Sequence, residues 1–182
     1  MFRPLLLSLA TLACLAAPPR TLRVDYAHTG NAASERFGVD RIILEPLPWP
    51  GDLSKAIDTS NLGKYCFEVA DKARGRLLYS RGFASIYGEW ETTDEAKNMD
   101  RSFGESLRFP QPEAPIRITV KKRDARNAFV PVWTFELDPK DPLIERTPAP
   151  EAGALIALQK SGDSAEKVDF LILGDGYTAA ER

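Results

Sequence analysis

Histidine is nearly missing from this sequence. His28 is the only one in 182 residues, so neither a His-based catalytic triad nor a multi-histidine zinc site can be assembled from the chain. His28 itself reads as a strand-end residue. Cysteine is almost as scarce. Of the two, Cys14 falls in an apolar leader, which leaves Cys66 alone. A single thiol makes no intradomain disulfide, so the domain must rest on its hydrophobic core. Cys66 alternates with Tyr65 and Phe67 and reads as a small buried strand residue. Neither sign of charge is in large excess: 24 Lys and Arg face 26 Asp and Glu, which gives no electrostatic reason for a nucleic-acid partner. No apolar run reaches the ~20 residues of a membrane-spanning helix. A phosphate-binding loop is missing too, because Gly174-Asp-Gly176 lacks the length and the lysine. No internal repeat is visible. Two methionines against fourteen prolines point to an extended, loop-joined chain rather than a helical bundle.

What is present starts with an export signal over residues 1–17. Arg3 gives the positive start, Leu5 to Leu15 the apolar stretch, and Cys14-Leu-Ala16 a small-residue cleavage pattern before Pro18-Pro19. The expected location is periplasmic or extracellular. Cys14 could instead carry a lipid, although Thr11-Leu12-Ala13 lacks the usual Leu three residues earlier.

From Thr21 to Leu137 the dominant period is two. Leu22, Val24 and Tyr26 share one parity, as do Tyr65, Phe67 and Val69, then Phe103, Leu107 and Phe109, then Ile116, Ile118 and Val120. Phe129, Trp133, Phe135 and Leu137 make a further face, with Pro131 marking an edge strand or a bulge. Alternation of this kind is what a sheet with one buried face requires. Lys72 to Gly75, Pro110 to Pro115 and Asp124 to Asn127 are turn signals between the runs. Roughly seven short strands so punctuated predict a mainly β fold, an antiparallel β-sandwich over 20–138. Two helical islands interrupt it. Thr92-Thr-Asp-Glu95 has capping-box spacing and opens a short helix to about Met99, and Ser54 to Ile57 makes one turn in a long loop from Glu45 to Gly63. Residues 139–153, with four prolines, read as a stiff linker.

Residues 154–182 read as the truncated start of a second, α/β domain. Leu155–Leu158 and Val168–Leu173 have the character of buried strands, Gly174-Asp-Gly176 is a tight turn, and Thr178-Ala-Ala-Glu181 is another capping box.

Few residues carry chemistry. Glu89, Glu91, Asp94 and Glu95 do not have the spacing of a calcium loop and read as a solvated face. Lys121-Lys-Arg123 with Arg126 reads as a wet, charged loop. Tyr79, Phe83, Tyr87 and Trp90 could stack on sugar, but aromatics on one strand face are usually core.

The segment from Tyr79 to Ala96, together with Leu22–Gly30, Trp49-Pro-Gly51, Leu62–Tyr65 and Ser106–Pro110, resembles the N-terminal domain of the IgA-peptidase-type zinc metallopeptidases. The tail Val168–Thr178 is similar to the opening of that family's catalytic domain. The resemblance implies a β-sandwich N-terminal domain that supports or docks on a catalytic domain of the same polypeptide. In that family zinc is held by a His-Glu-x-x-His helix. This sequence contains no such motif, so no catalytic or zinc-binding residue carries over, and zinc is expected only in the absent catalytic domain. Arg81, Phe83, Glu89 and Trp90 are the expected docking residues, since Trp and Arg often anchor interfaces. The alternative is a stand-alone secreted module that binds glycan or protein through the same segment.

Overall fold

The computed structural model describes residues 17–146, 148 and 156–173. The export signal (save Ala17), Cys14, the Gly174-Asp-Gly176 turn and the last capping box lie outside the described residues. Seven strands and one short helix follow in order: β1 (Arg20–Gly30), β2 (Glu35–Pro48), β3 (Tyr65–Asp71), β4 (Leu77–Phe83), α1 (Ile86–Trp90), β5 (Arg101–Pro110), β6 (Ile116–Arg123) and β7 (Phe129–Leu137). They make two antiparallel sheets, one ordered β2-β1-β5 and the other β4-β3-β6-β7. The chain crosses between sheets three times, through the long loop after β2, through α1, and through Pro110 to Pro115.

The period-two runs set both sheets. Leu22, Val24 and Tyr26 of β1 and Leu107 and Phe109 of β5 share one core with Tyr65, Phe67 and Val69 of β3 and Ile116, Ile118 and Val120 of β6. One apolar face per sheet is covered by the other, which is how two half-apolar layers both leave water. Pro131 lies on β7, an edge strand, where the register slips between Val120 and Lys121. Ser54 to Ile57 is realised as a single 3-10 turn, Leu53–Lys55, with Asp52 accepting from the Ser54 N–H at 2.8 Å.

Four expectations change. The helix lies earlier than the capping box, at Ile86–Trp90, and Ser85 caps it by accepting from the Gly88 N–H. The Thr92-to-Glu95 box does not form, because Thr92 donates to the Glu89 carbonyl and Glu95 accepts from the Trp90 indole N–H. Only a 3-10 turn, Glu95–Lys97, remains there. Next, β2 extends through Pro48, into what reads as the start of a loop. Ile42, Ile43 and Leu44 are consecutive, so the strand does not alternate cleanly, and its pairing with β1 is interrupted by a register shift between Asp25 and Tyr26.

The third change concerns the stretch after β7. It does not leave the domain at once: Ile144 is 4% exposed within the main core, and Glu145 bridges in parallel to Ile43 of β2. Two backbone bonds fix it there, Leu44 N–H to the Glu145 carbonyl at 2.8 Å and Glu145 N–H to the Ile42 carbonyl at 2.9 Å. The proline spacing suggested a linker from 139, but one apolar side chain and one open strand edge hold the chain down as far as Arg146. Finally, Val168–Leu173 forms no strand, and its apolar side chains are exposed. No described strand pairs with it, and unpaired backbone has no reason to stay extended.

Candidate functional site

At one end of the shared core the inward-facing positions turn from apolar to ionisable. On β1 the parity of Leu22, Val24 and Tyr26 reaches His28. On β5 that of Phe109 and Leu107 reaches Glu105, and on β6 that of Ile118 and Val120 reaches Lys122. Antiparallel pairing brings these ends together, with Tyr26 opposite Glu105 and Tyr65 opposite Lys122.

His28 is 1% exposed. Its ring stacks against Tyr87 of α1 at 3.9 Å and against Phe37 of β2 at 4.2 Å between centroids. Its Nδ1 lies 3.1 Å from Glu105 Oε2, and its Nε2 lies 3.0 Å from Glu35 Oε2. Each carboxylate has further donors. Glu105 accepts from the Tyr26 hydroxyl at 2.7 Å and from the Tyr87 backbone N–H at 3.3 Å. Glu35 accepts from the Tyr65 hydroxyl at 2.8 Å and pairs with Lys122 at 3.2 Å. Lys122 reaches Glu91 at 2.7 Å, and Glu91 also pairs with Lys64. The Tyr87 hydroxyl closes the end of the β1–β2 hairpin by donating to the Asn31 and Ser34 carbonyls. Gly30 makes room there, since a Cβ at that position would run into the Ser34 carbonyl and the Tyr87 hydroxyl.

The titration of these groups follows from the contacts. Burial opposes a charge on His28, but hydrogen bonds to Glu105 and Glu35 and the two negative charges outweigh it and hold the pKa above the usual imidazole value. Burial likewise opposes charge on Glu35 and Glu105, yet donors from His28, from Tyr65 and Lys122, and from Tyr26 and the Tyr87 N–H hold both below the usual carboxylate range. Tyr87 is pushed up to about 12 by burial and the neighbouring carboxylates. Burial and the bonded carboxylates also raise Tyr26 and Tyr65.

The His28 ring at the centre of this arrangement is shielded from solvent. Its donor chemistry does not fit zinc. Both His28 nitrogens are engaged by carboxylates, and among the described residues no group of three His, Cys, Asp or Glu is placed to hold a metal ion. Cys66 is half-buried, and burial pushes its thiol up, which leaves it a poor nucleophile.

The four expected docking residues do not form one outward surface. Arg81 is exposed on β4, its guanidinium 5.5 Å over the Tyr79 ring, and Glu89 is exposed on α1. Phe83 is half-buried and stacks on Tyr65 at 5.6 Å. Trp90 is 8% exposed and forms a small second core with Tyr87 and Ala96, against Phe103. An outward sugar platform is not built either, since Tyr79, Tyr87 and Trp90 all point inward.

Two charged groups also differ from expectation. Glu91 is not part of a solvated face but the partner of Lys64 and Lys122. Lys121-Lys-Arg123 is not a loop but the end of β6, where Arg123 donates to the Gly63, Asn61 and Asn127 carbonyls. Glu35, Glu105, Lys122 and Lys64 went unrecognised as site residues. Parity was the available signal for two of them, because Glu105 and Lys122 continue the apolar faces of their strands.

A family model described as peptidase M64 N-terminus matches residues 16–134. Among curated proteins none matches the chain. No described helix is long and apolar enough to cross a membrane.

Proposed function

Because the chain belongs to the peptidase M64 N-terminal family, we propose that it is the non-catalytic β-sandwich of an exported zinc metallopeptidase of the IgA-peptidase kind. Its task is to support and dock on a catalytic domain that follows in the same polypeptide. The family match carries this reading. One feature of the described residues supports it: the single histidine is buried, and both its ring nitrogens face carboxylates. On this reading the chain is a piece of a longer enzyme, and zinc belongs to the later part.

Two measurements test the reading. Coding sequence beyond the Arg182 codon should contain His-Glu-x-x-His. The purified chain should cleave no protein substrate with or without added zinc. Zinc-dependent cleavage that survives repurification and disappears with a chelator would overturn it.

A further inference from the structure

We propose that His28 is a proton-operated clasp: as an imidazolium it ties Glu35 of β2 to Glu105 of β5 across β1, and loss of its proton loosens this end of the domain. The inference is independent of the peptidase reading.

The geometry asks for a proton on both ring nitrogens. Each faces a carboxylate oxygen, at 3.1 and 3.0 Å, and a carboxylate can only accept. A neutral ring has one N–H, so one of its two carboxylate contacts would set a lone pair against a negative oxygen. Charge gives the same answer. The groups around the ring are Glu35 from β2, Glu105 from β5 and Glu91 after α1, against Lys122 from β6 and Lys64 before β3. Tyr26, Tyr65 and Tyr87 face it from β1, β3 and α1 as hydroxyls. Three carboxylates balance two ammonium groups only if His28 supplies the third positive charge. A buried cluster left one charge out of balance is costly.

The clasp joins separate elements. Through Glu35 it reaches Tyr65 and Lys122 of the four-stranded sheet, and through Glu105 it reaches the first turn of α1. When the proton passes to solvent, the pairing that holds α1 and the hairpin end against both sheets is weakened. His28 has its folded pKa above the ordinary 6.5, so its contribution to stability is complete below 6.5 and is lost as pH rises through the folded value. Glu35 and Glu105 have theirs below 4.5, so their contribution is complete above 4.5 and is lost as pH falls through the folded values. The joint contribution of these three groups is therefore greatest between 4.5 and 6.5.

One histidine in the chain makes the test clean. In the full chain labelled with ¹⁵N-histidine, both ring nitrogens should be protonated at about pH 6, with a titration midpoint above 6.5. The urea midpoint should fall between about pH 6 and about pH 8.5, a range in which an imidazole titrates and ordinary carboxylates do not. In Glu105→Gln the histidine midpoint should drop and the alkaline fall in stability should shrink. A single neutral tautomer at about pH 6 in the unaltered chain would overturn the clasp, and so would a flat stability profile over that range. Neither measurement needs the variant to fold.

Discussion

β6 and the tail carry the same kind of apolar run and meet opposite fates. Ile116, Ile118 and Val120 are at most 1% exposed, whereas Val168, Phe170, Leu171, Ile172 and Leu173 are 71–89% exposed. The difference lies in what each run meets. β6 has a neighbour on both sides, β3 and β7, and the other sheet above it. No described strand pairs with the tail. A hydrophobic run is thus a demand for cover, and it becomes a strand only where neighbours satisfy its backbone and its side chains together.

Matched substitutions break or sharpen that contrast most directly. Phe109→Ala removes a fully buried ring of β5 and should cost roughly 3–5 kcal/mol, the usual loss for a buried aromatic. Phe170→Ala should change stability by no more than about 0.5 kcal/mol, as surface changes do. Urea melts of both variants of the full chain decide it. A Phe170→Ala loss comparable with that of Phe109→Ala would mean the tail is covered after all.

A second pair of variants locates the border between the two regions. A chain ending at Arg146 keeps Ile144 in the core and the two backbone bonds to β2. It should melt like the full chain and be more soluble, because the exposed apolar run is gone. A chain ending at Leu137 loses both contacts and should be less stable by about 2–3 kcal/mol, combining a lost buried aliphatic side chain with open backbone groups. Equal melts for the two truncations would place the border at Leu137 and make the Glu145 bridge incidental.

Much of the fold was legible because strand faces announce themselves by parity. The runs of β1, β3, β5, β6 and β7, the turns between them and the edge character of Pro131 are all local signals. β2 was harder to see because Ile42, Ile43 and Leu44 carry no alternation, and its hold on β1 is long-range. α1 was obscured because Ser85 and Gly88 give a weak start signal beside the stronger-looking Thr92 to Glu95. The site was half legible. Glu105 and Lys122 sit on apolar parities, where a charged residue must find a partner. That the partner of Glu105 is His28 follows only from the register of β5 on β1. Glu35 comes from a hairpin end and Glu91 from beyond a helix, and no spacing in the sequence announces either.

The smallest effects should come from the residues of the expected docking surface that do face outward. Arg81 and Glu89 are exposed. The contacts of Arg81 are a 3.3 Å bond to the Tyr79 hydroxyl and a position over that ring, and exposed interactions of this kind are worth little. Arg81→Ala and Glu89→Ala should each change the urea-melt stability by no more than about 0.5 kcal/mol. Trp90 is the internal control. It is packed with Tyr87 and Phe103 and donates its N–H to Glu95 at 2.7 Å, so Trp90→Ala should cost about 3 kcal/mol. If Arg81 or Glu89 costs as much as Trp90, the segment is architecture throughout and offers no docking surface. If both are neutral in the melt yet weaken association with the proposed catalytic domain, supplied as a separate polypeptide, the outward part of the segment is where the two domains would meet.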